Sequence, residues 1–402
     1  MPMKFHLSPF FLLAPLTALC ATPKLPGVGA AMQAAVNAGQ LSGAVTVVVS
    51  EDRILHLEAT GLADVAAKKP MRPDSLFWIA SMTKPVTAVA VLMLQDEGKL
   101  NVTNPISDYI PEFAHLKTPS GKPANLSLAQ ALTHTSGLGE ADSQAARNAH
   151  TLAELIPSYL AAPMQYEPGA KWKYTQSGIN VAARVVEIVS GMSFDAFVQK
   201  RVLDPLGMKD TTFYPAEKSP GSLVIGYIKS KTADALEAAA LPGDFGAPGH
   251  PPLGNGGLFS TGADYARFCQ MLLGGGTLDG KRLLSPRAMK LLTTVQTGDL
   301  PTGFMQSAEF GSHGTNYGWG IGTCILRAPH EGVAAMLSPG TFGHGGAWGT
   351  QAWMDPVRGV AYILMVQRPN AGNSDASDIR RAFQQAAFDA LAKRQWRDLF
   401  PR

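Results

Sequence analysis

Ser81 and Lys84 stand three residues apart in Ser81-Met82-Thr83-Lys84. On a helix that spacing brings a hydroxyl and an amine onto one face. A serine at a helix N-terminus sits in the positive end of the helix dipole, which favours a developing alkoxide. A lysine shielded from water loses part of its preference for the charged form and can accept a proton near neutral pH. The pair therefore has the makings of an activated nucleophile. An S-x-x-K match on its own is weak, since about one arises by chance in a chain of this length. The competing interpretation is a serine N-cap followed by a solvated lysine. Against it, Phe77-Trp78-Ile79-Ala80 precedes the serine and Val86-Thr87-Ala88-Val89 follows the lysine, so both polar groups face protein and need partners there.

The helix that must present this pair carries Val86, Val89, Ala90, Met93 and Leu94 at helical spacing, and Gly98 is placed to stop it. Val91 and Leu92 make it apolar nearly all round, which predicts a central buried helix. Around it, the β-branched run Gly43–Ser50 and the alternating segment 54–59, joined by Glu51-Asp52-Arg53, predict an N-terminal hairpin. Residues 349–355 and 360–366 read as strands, and Ile379, Phe383, Ala387, Ala390 and Leu391 lie on one face of a closing helix. Between these ends lie helical segments, among them 178–190 and 263–273. A Gly- and Pro-rich stretch, 242–257, either covers a site or merely connects elements. Strands at both ends with helices between predict one sheet assembled across a helical insertion.

The 402 residues, 46% hydrophobic and only 16% charged, describe a globular chain with a large core. A net charge of +3 without any clustered basic stripe argues against nucleic-acid binding. Cys20, Cys269 and Cys324 have neither C-x-x-C spacing nor histidines at metal spacing, so no metal site is expected, and Cys269 and Cys324 read as small core residues. Lys4 and His6 precede an apolar stretch, 10–19, that leads to Cys20-Ala21-Thr22-Pro23. This pattern reads as a signal peptide over residues 1–21, in preference to a buried N-terminal helix. Leu19 is a poor residue before a lipidated cysteine. The remainder, 22–402, is expected to be one exported domain, periplasmic and without a transmembrane segment, because Lys84 interrupts the most apolar later stretch.

Further stretches join the first: Pro73 to Lys84, Leu132-Thr133-His134-Thr135-Ser136-Gly137-Leu138, Tyr174-Thr175-Gln176, Gly256-Gly257-Leu258-Phe259-Ser260-Thr261, Tyr317-Gly318-Trp319-Gly320 and Gly343-His344-Gly345-Gly346. In this order and spacing the chain resembles the serine β-lactamases and penicillin-binding proteins, within the class C-like branch that includes the family VIII carboxylesterases. The resemblance runs from about Gly43 to Val366. It implies an α/β (α+β) fold of the β-lactamase/transpeptidase type, with an antiparallel sheet flanked by helices and a helical subdomain inserted over about 81–300. It also implies Ser81 as nucleophile, Lys84 and Tyr174 as the acid–base pair, and the backbone N–H groups of Ser81 and Ala347 as oxyanion hole. Gln176, His344, Gly345 and Gly346 would face substrate, and no cofactor is needed.

Two departures from the family pattern carry information. Gln176 stands where the family has asparagine, keeping the amide at longer reach. His344 stands where β-lactamases have a lysine; a histidine of ordinary pKa near 6.5 is mostly neutral at pH 7, so carboxylate-bearing lactams should bind less well. Tyr174 is expected to have a lowered pKa beside the Lys84 ammonium. His134 and Ser136 resemble parts of a Ser-His-Asp triad, but in this family the stretch is structural, and His134 reads as a hydrogen-bonding core residue. The reading that follows is an exported serine hydrolase, most simply a carboxylesterase on short acyl esters. Its alternatives are a serine peptidase for small peptides (linearised, cyclic-derived or D-amino-acid-containing, such as linearised microcystin) and a β-lactamase or penicillin-binding sensor.

Overall fold

A computed structural model describes residues 22–218, 221–230, 232, 235–241, 249–302, 314–369 and 377–399. The signal-peptide segment 1–21, with Cys20, lies outside the described residues. Strands β1 (Gly43–Ser50), β2 (Ile54–Asp64) and β3 (Lys69–Pro70) come from the N-terminal part. From the C-terminal part come β4 (Tyr317–Trp319), β5 (Cys324–Leu326), β6 (Phe342–Gly345), β7 (Gln351–Asp355) and β8 (Val360–Met365). They form one eight-stranded sheet in the order β4-β5-β6-β7-β8-β1-β2-β3, with every neighbouring pair antiparallel. The seam between the two parts is β1 against β8, with Val45 opposite Met365 and Val47 opposite Ile363.

β1 explains why its sequence is an unbroken β-branched run and not an alternation. Val45, Val47 and Val49 enter the larger core on one face of the sheet. Ala44 and Val48 enter a second core on the other face, with Tyr362 and Leu364 of β8. A strand covered on both faces needs apolar residues at every position. One cover is α1 (Val28–Asn37) with the closing helix, which spans Asp378–Leu399. Of the face predicted for that helix, Ile379, Phe383, Ala387 and Ala390 are buried and Leu391 is partly so.

The other cover holds α2 (Thr83–Asp96), α3 (Ser177–Ser190) and α4 (Gly262–Leu273). Every residue of α2 from Thr83 to Leu94 is buried, as the all-round apolar pattern predicts. Gly98, at φ +70°, turns the chain after its end. The predicted cysteine placements also hold, since Cys269 on α4 and Cys324 on β5 are both fully buried. Among the described residues no helix is long and apolar enough to cross a membrane. An antiparallel sheet flanked by helices is the architecture expected of the β-lactamase/transpeptidase class.

Candidate active site

Ser81 lies not in α2 itself but in the single 3-10 turn Ala80–Met82 that feeds it. Ala80 is held in the left-handed region at φ +46°, a conformation that costs a non-glycine residue about 1–2 kcal/mol. Its neighbours enforce it. Trp78 exchanges two hydrogen bonds with the Gln367 amide, its N–H donating to Oε1 at 3.0 Å and its carbonyl accepting from Nε2 at 3.1 Å. Ile79 N–H donates to Leu258 O at 3.1 Å, Leu258 N–H to Thr83 Oγ1 at 3.1 Å, and Thr83 Oγ1 to Ala80 O at 2.7 Å. The turn is thus gripped by the Gly256-to-Thr261 motif and by the strand end after β8.

Lys84 is fully buried, and its Nζ lies 3.0 Å from Ser81 Oγ, 2.9 Å from Gln176 Oε1 and 2.8 Å from the Asn255 carbonyl oxygen. Three acceptors around one amine match the three N–H bonds of an ammonium. Burial nevertheless pushes Lys84 well below its ordinary value, with the Glu140 carboxylate opposing the shift. The amine also stands 4.6 Å above the Tyr174 ring.

Tyr174 departs from expectation. Burial drives its pKa up, and the hydrogen bond with Ser81 only partly offsets this. The desolvation of a phenolate outweighs any help from a lysine that is itself losing its charge, so the phenol stays neutral. His134 secures Tyr174 from both sides: its carbonyl accepts the Lys173 N–H at 3.0 Å and its Nδ1 accepts the Thr175 N–H at 3.3 Å. The imidazole is fully buried and packs 4.6 Å from the Tyr174 ring and 5.0 Å from Trp319. It is a hydrogen-bonding core residue, as predicted. Ser136 Oγ accepts the Leu138 N–H within its own turn at 3.2 Å.

His344, at the end region of β6, is 1% exposed. Its Nδ1 lies 2.6 Å from Gly345 O and its Nε2 3.5 Å from Tyr174 Oη. A carbonyl only accepts, so Nδ1 carries the proton and Nε2 turns its lone pair to the tyrosine. Burial, reinforced by Lys84, lowers His344 to about 3, so the ring is neutral at physiological pH. Gly346 donates its N–H to Thr350 O at 2.7 Å. A Cβ there would collide with Thr350 Oγ1 and the Ile79 carbonyl oxygen, so the missing side chain is what lets β6 close on the segment before Ser81. Ala347 follows on an exposed turn.

Two residues escape sequence reasoning. Glu140 accepts the N–H groups of Gln176 at 2.6 Å and Ser177 at 3.0 Å, capping the first turn of α3. Asn255 lies near the end of the Gly- and Pro-rich stretch 242–257, whose described end thereby lines the site. No local spacing links either residue to Lys84; the one hint for Asn255 was a polar side chain amid glycines.

The β-lactamase family profile matches residues 28–387. An uncharacterized protein of Mycobacterium tuberculosis is 32% identical over 372 residues, covering 85% of this chain and 90% of its own. Esterase EstB of Burkholderia gladioli is 29% identical over 378 residues, covering 85% and 89%. The solved structure of EstCE1, a hydrolase with promiscuous acyltransferase activity, superposes with a TM-score of 0.74 at 21% identity, covering 90% of this chain and 97% of that one. With Ser81 and Lys84 in contact at the head of a buried helix and the family profile spanning nearly all of the chain, this protein belongs to the β-lactamase family of serine hydrolases.

Proposed function

We propose that the protein is a carboxylesterase acting on short acyl esters through an acyl-enzyme on Ser81. The observation that carries the reading is His344: where a lactamase holds a permanent cation for the substrate carboxylate, this site presents a buried, neutral imidazole. Such a site favours an uncharged acyl group. The similarity to Esterase EstB supports the same class.

In this mechanism neutral Lys84 takes the Ser81 hydroxyl proton as Oγ attacks the ester carbonyl. The backbone N–H groups of Ser81 and Ala347 hold the tetrahedral oxyanion. Collapse expels the alkoxide, which receives its proton from Lys84 by way of the neutral Tyr174 hydroxyl. Water then attacks the acyl-enzyme with Lys84 taking its proton, and Lys84 passes that proton to the departing Ser81 Oγ, releasing the acid and restoring the Ser81 hydroxyl and the neutral amine. Residues 1–21 direct export on this reading, and N-terminal sequencing of periplasmic protein should find a chain beginning near Thr22.

Hydrolysis of p-nitrophenyl butyrate, measured beside a chromogenic cephalosporin and a set of short linear peptides, tests the proposal. The ester should be cleaved best, and Ser81→Ala should abolish its turnover. Cleavage of a peptide with the ester untouched would replace this reading with the peptidase, including one for linearised or D-amino-acid-containing peptides. A persistent labelled-penicillin adduct without turnover would replace it with a penicillin-binding sensor.

A further inference from the structure

We infer that Asn255 is a positioning residue that aims the Lys84 lone pair at Ser81, directly through its backbone carbonyl and indirectly through the Gln176 side chain. This inference rests on Lys84 serving as the base in the proposed mechanism. An amine that accepts a proton must be neutral, with two N–H bonds and one lone pair. Of the three atoms around Nζ, Gln176 Oε1 and the Asn255 carbonyl oxygen can only accept, whereas Ser81 Oγ can also donate. When both N–H bonds are held by the two pure acceptors, the lone pair is left facing the serine hydroxyl.

Asn255 controls both acceptors. Its carbonyl is one of them, at 2.8 Å. Its Nδ2 donates to Gln176 Oε1 at 2.9 Å, which obliges the Gln176 amide to turn oxygen, and not nitrogen, toward Lys84. The residue is anchored in turn, since its backbone N–H donates to Asn180 Oδ1 at 3.0 Å and Asn180 Nδ2 donates to Tyr159 Oη at 2.9 Å. Gly254, one residue before, accepts the Thr87 hydroxyl of α2 at 2.7 Å. The longer reach of glutamine at position 176 is therefore held by a second amide from a distant loop. Asn255 Oδ1 is buried and has no hydrogen-bond partner within the protein, so the Gln176 contact is what specifies the orientation of this side chain.

The test is a double-mutant cycle on p-nitrophenyl butyrate with full pH profiles. Asn255→Ala should lower kcat/KM about tenfold, mostly in kcat, because the base is misaimed while the binding surface is intact. In a Gln176→Ala background the same change should cost less than twofold, because its side chain acts through Gln176. Asn255→Asp, nearly isosteric, places a carboxylate near Lys84; the acid limb of kcat/KM should move to higher pH as the ammonium is stabilised. The other groups facing Lys84, namely Glu140, Tyr174, His344 and His134, are unchanged in that variant. Equal losses in both backgrounds, or an unmoved acid limb in Asn255→Asp, would overturn the inference. If Asn255→Ala does not fold by thermal melt, Asn255→Ser carries the cycle. Loss of activity in Ser81→Ala and Lys84→Ala with an additive cycle would sink the positioning role alone; an active Lys84→Ala would sink the underlying mechanism instead.

Discussion

On the proposed reading, the choice between ester and lactam falls to a single side chain, His344. The imidazole is kept neutral because burial and the nearby Lys84 both oppose its protonation. His344→Lys would place a cation of much higher intrinsic pKa at the same point. The expected result is an about tenfold fall in KM for a carboxylate-bearing chromogenic cephalosporin, the worth of one charge-assisted hydrogen bond, together with a fall in ester turnover. Steady-state kinetics on the two substrates check this, and an unchanged preference would mean that His344 is not what excludes the carboxylate. Tyr174 carries the complementary lesson. Its raised pKa keeps the phenol neutral, as the proposed proton relay requires, and this could not be read from the identity of the residue, because the shift comes from burial.

Among the elements, the end of β6 comes closest to the turn that carries Ser81, and on the proposed reading the site depends on that contact. Gly346→Ala adds one carbon against the Ile79 carbonyl oxygen and Thr350 Oγ1, so the strand and the Ser81 turn must separate. The expected cost is about 1–3 kcal/mol in stability and about a hundredfold in kcat/KM. Denaturant unfolding and ester kinetics on the same preparation separate the two, and full activity would show that the strand end does not set the site. Much of this level was legible beforehand: the hairpin, β7, β8, and the buried helix α2 follow from residue periodicity, because each buries a continuous apolar face. The start of α2 was not, since the 3-10 turn and the left-handed Ala80 are imposed by Gln367 and Leu258, both remote in sequence.

For the molecule as a whole, buried histidines make stability depend on pH. His56 is fully buried at the junction of β1, β2 and the segment before α1, with Nδ1 accepting the Leu25 N–H at 2.9 Å and Nε2 2.9 Å from Thr46 Oγ1. Burial lowers it from 6.5 to about 4, the Glu58 carboxylate opposing. Below 6.5 the unfolded chain binds a proton that the folded chain refuses, so stability is full above that pH and falls as the pH drops from about 6.5 toward about 4. His344 adds a loss of the same sign, extending to about pH 3. Chemical denaturation at pH 7.5, 5.5 and 4.0 should give steadily lower stability, with a shallower decline in His56→Gln. Stability that holds or rises on acidification contradicts this account.

Which chemistry is available is already set by residue order: a hydroxyl and an amine three residues apart, at the head of a helix whose apolar residues leave it nowhere to go but the core. Residue order also determined that strands from both ends would share one sheet, because their apolar runs can be buried only against each other and the helices. How those groups behave depends on the closed fold. Asn255 meets Lys84 across 171 residues, Gln176 across 92, and the protonation of Lys84, Tyr174 and His344 follows from exclusion of water by neighbours scattered along the chain. Spacing along a chain encodes which side chains share a face; desolvation and long-range hydrogen bonding exist only once distant segments have closed around one another.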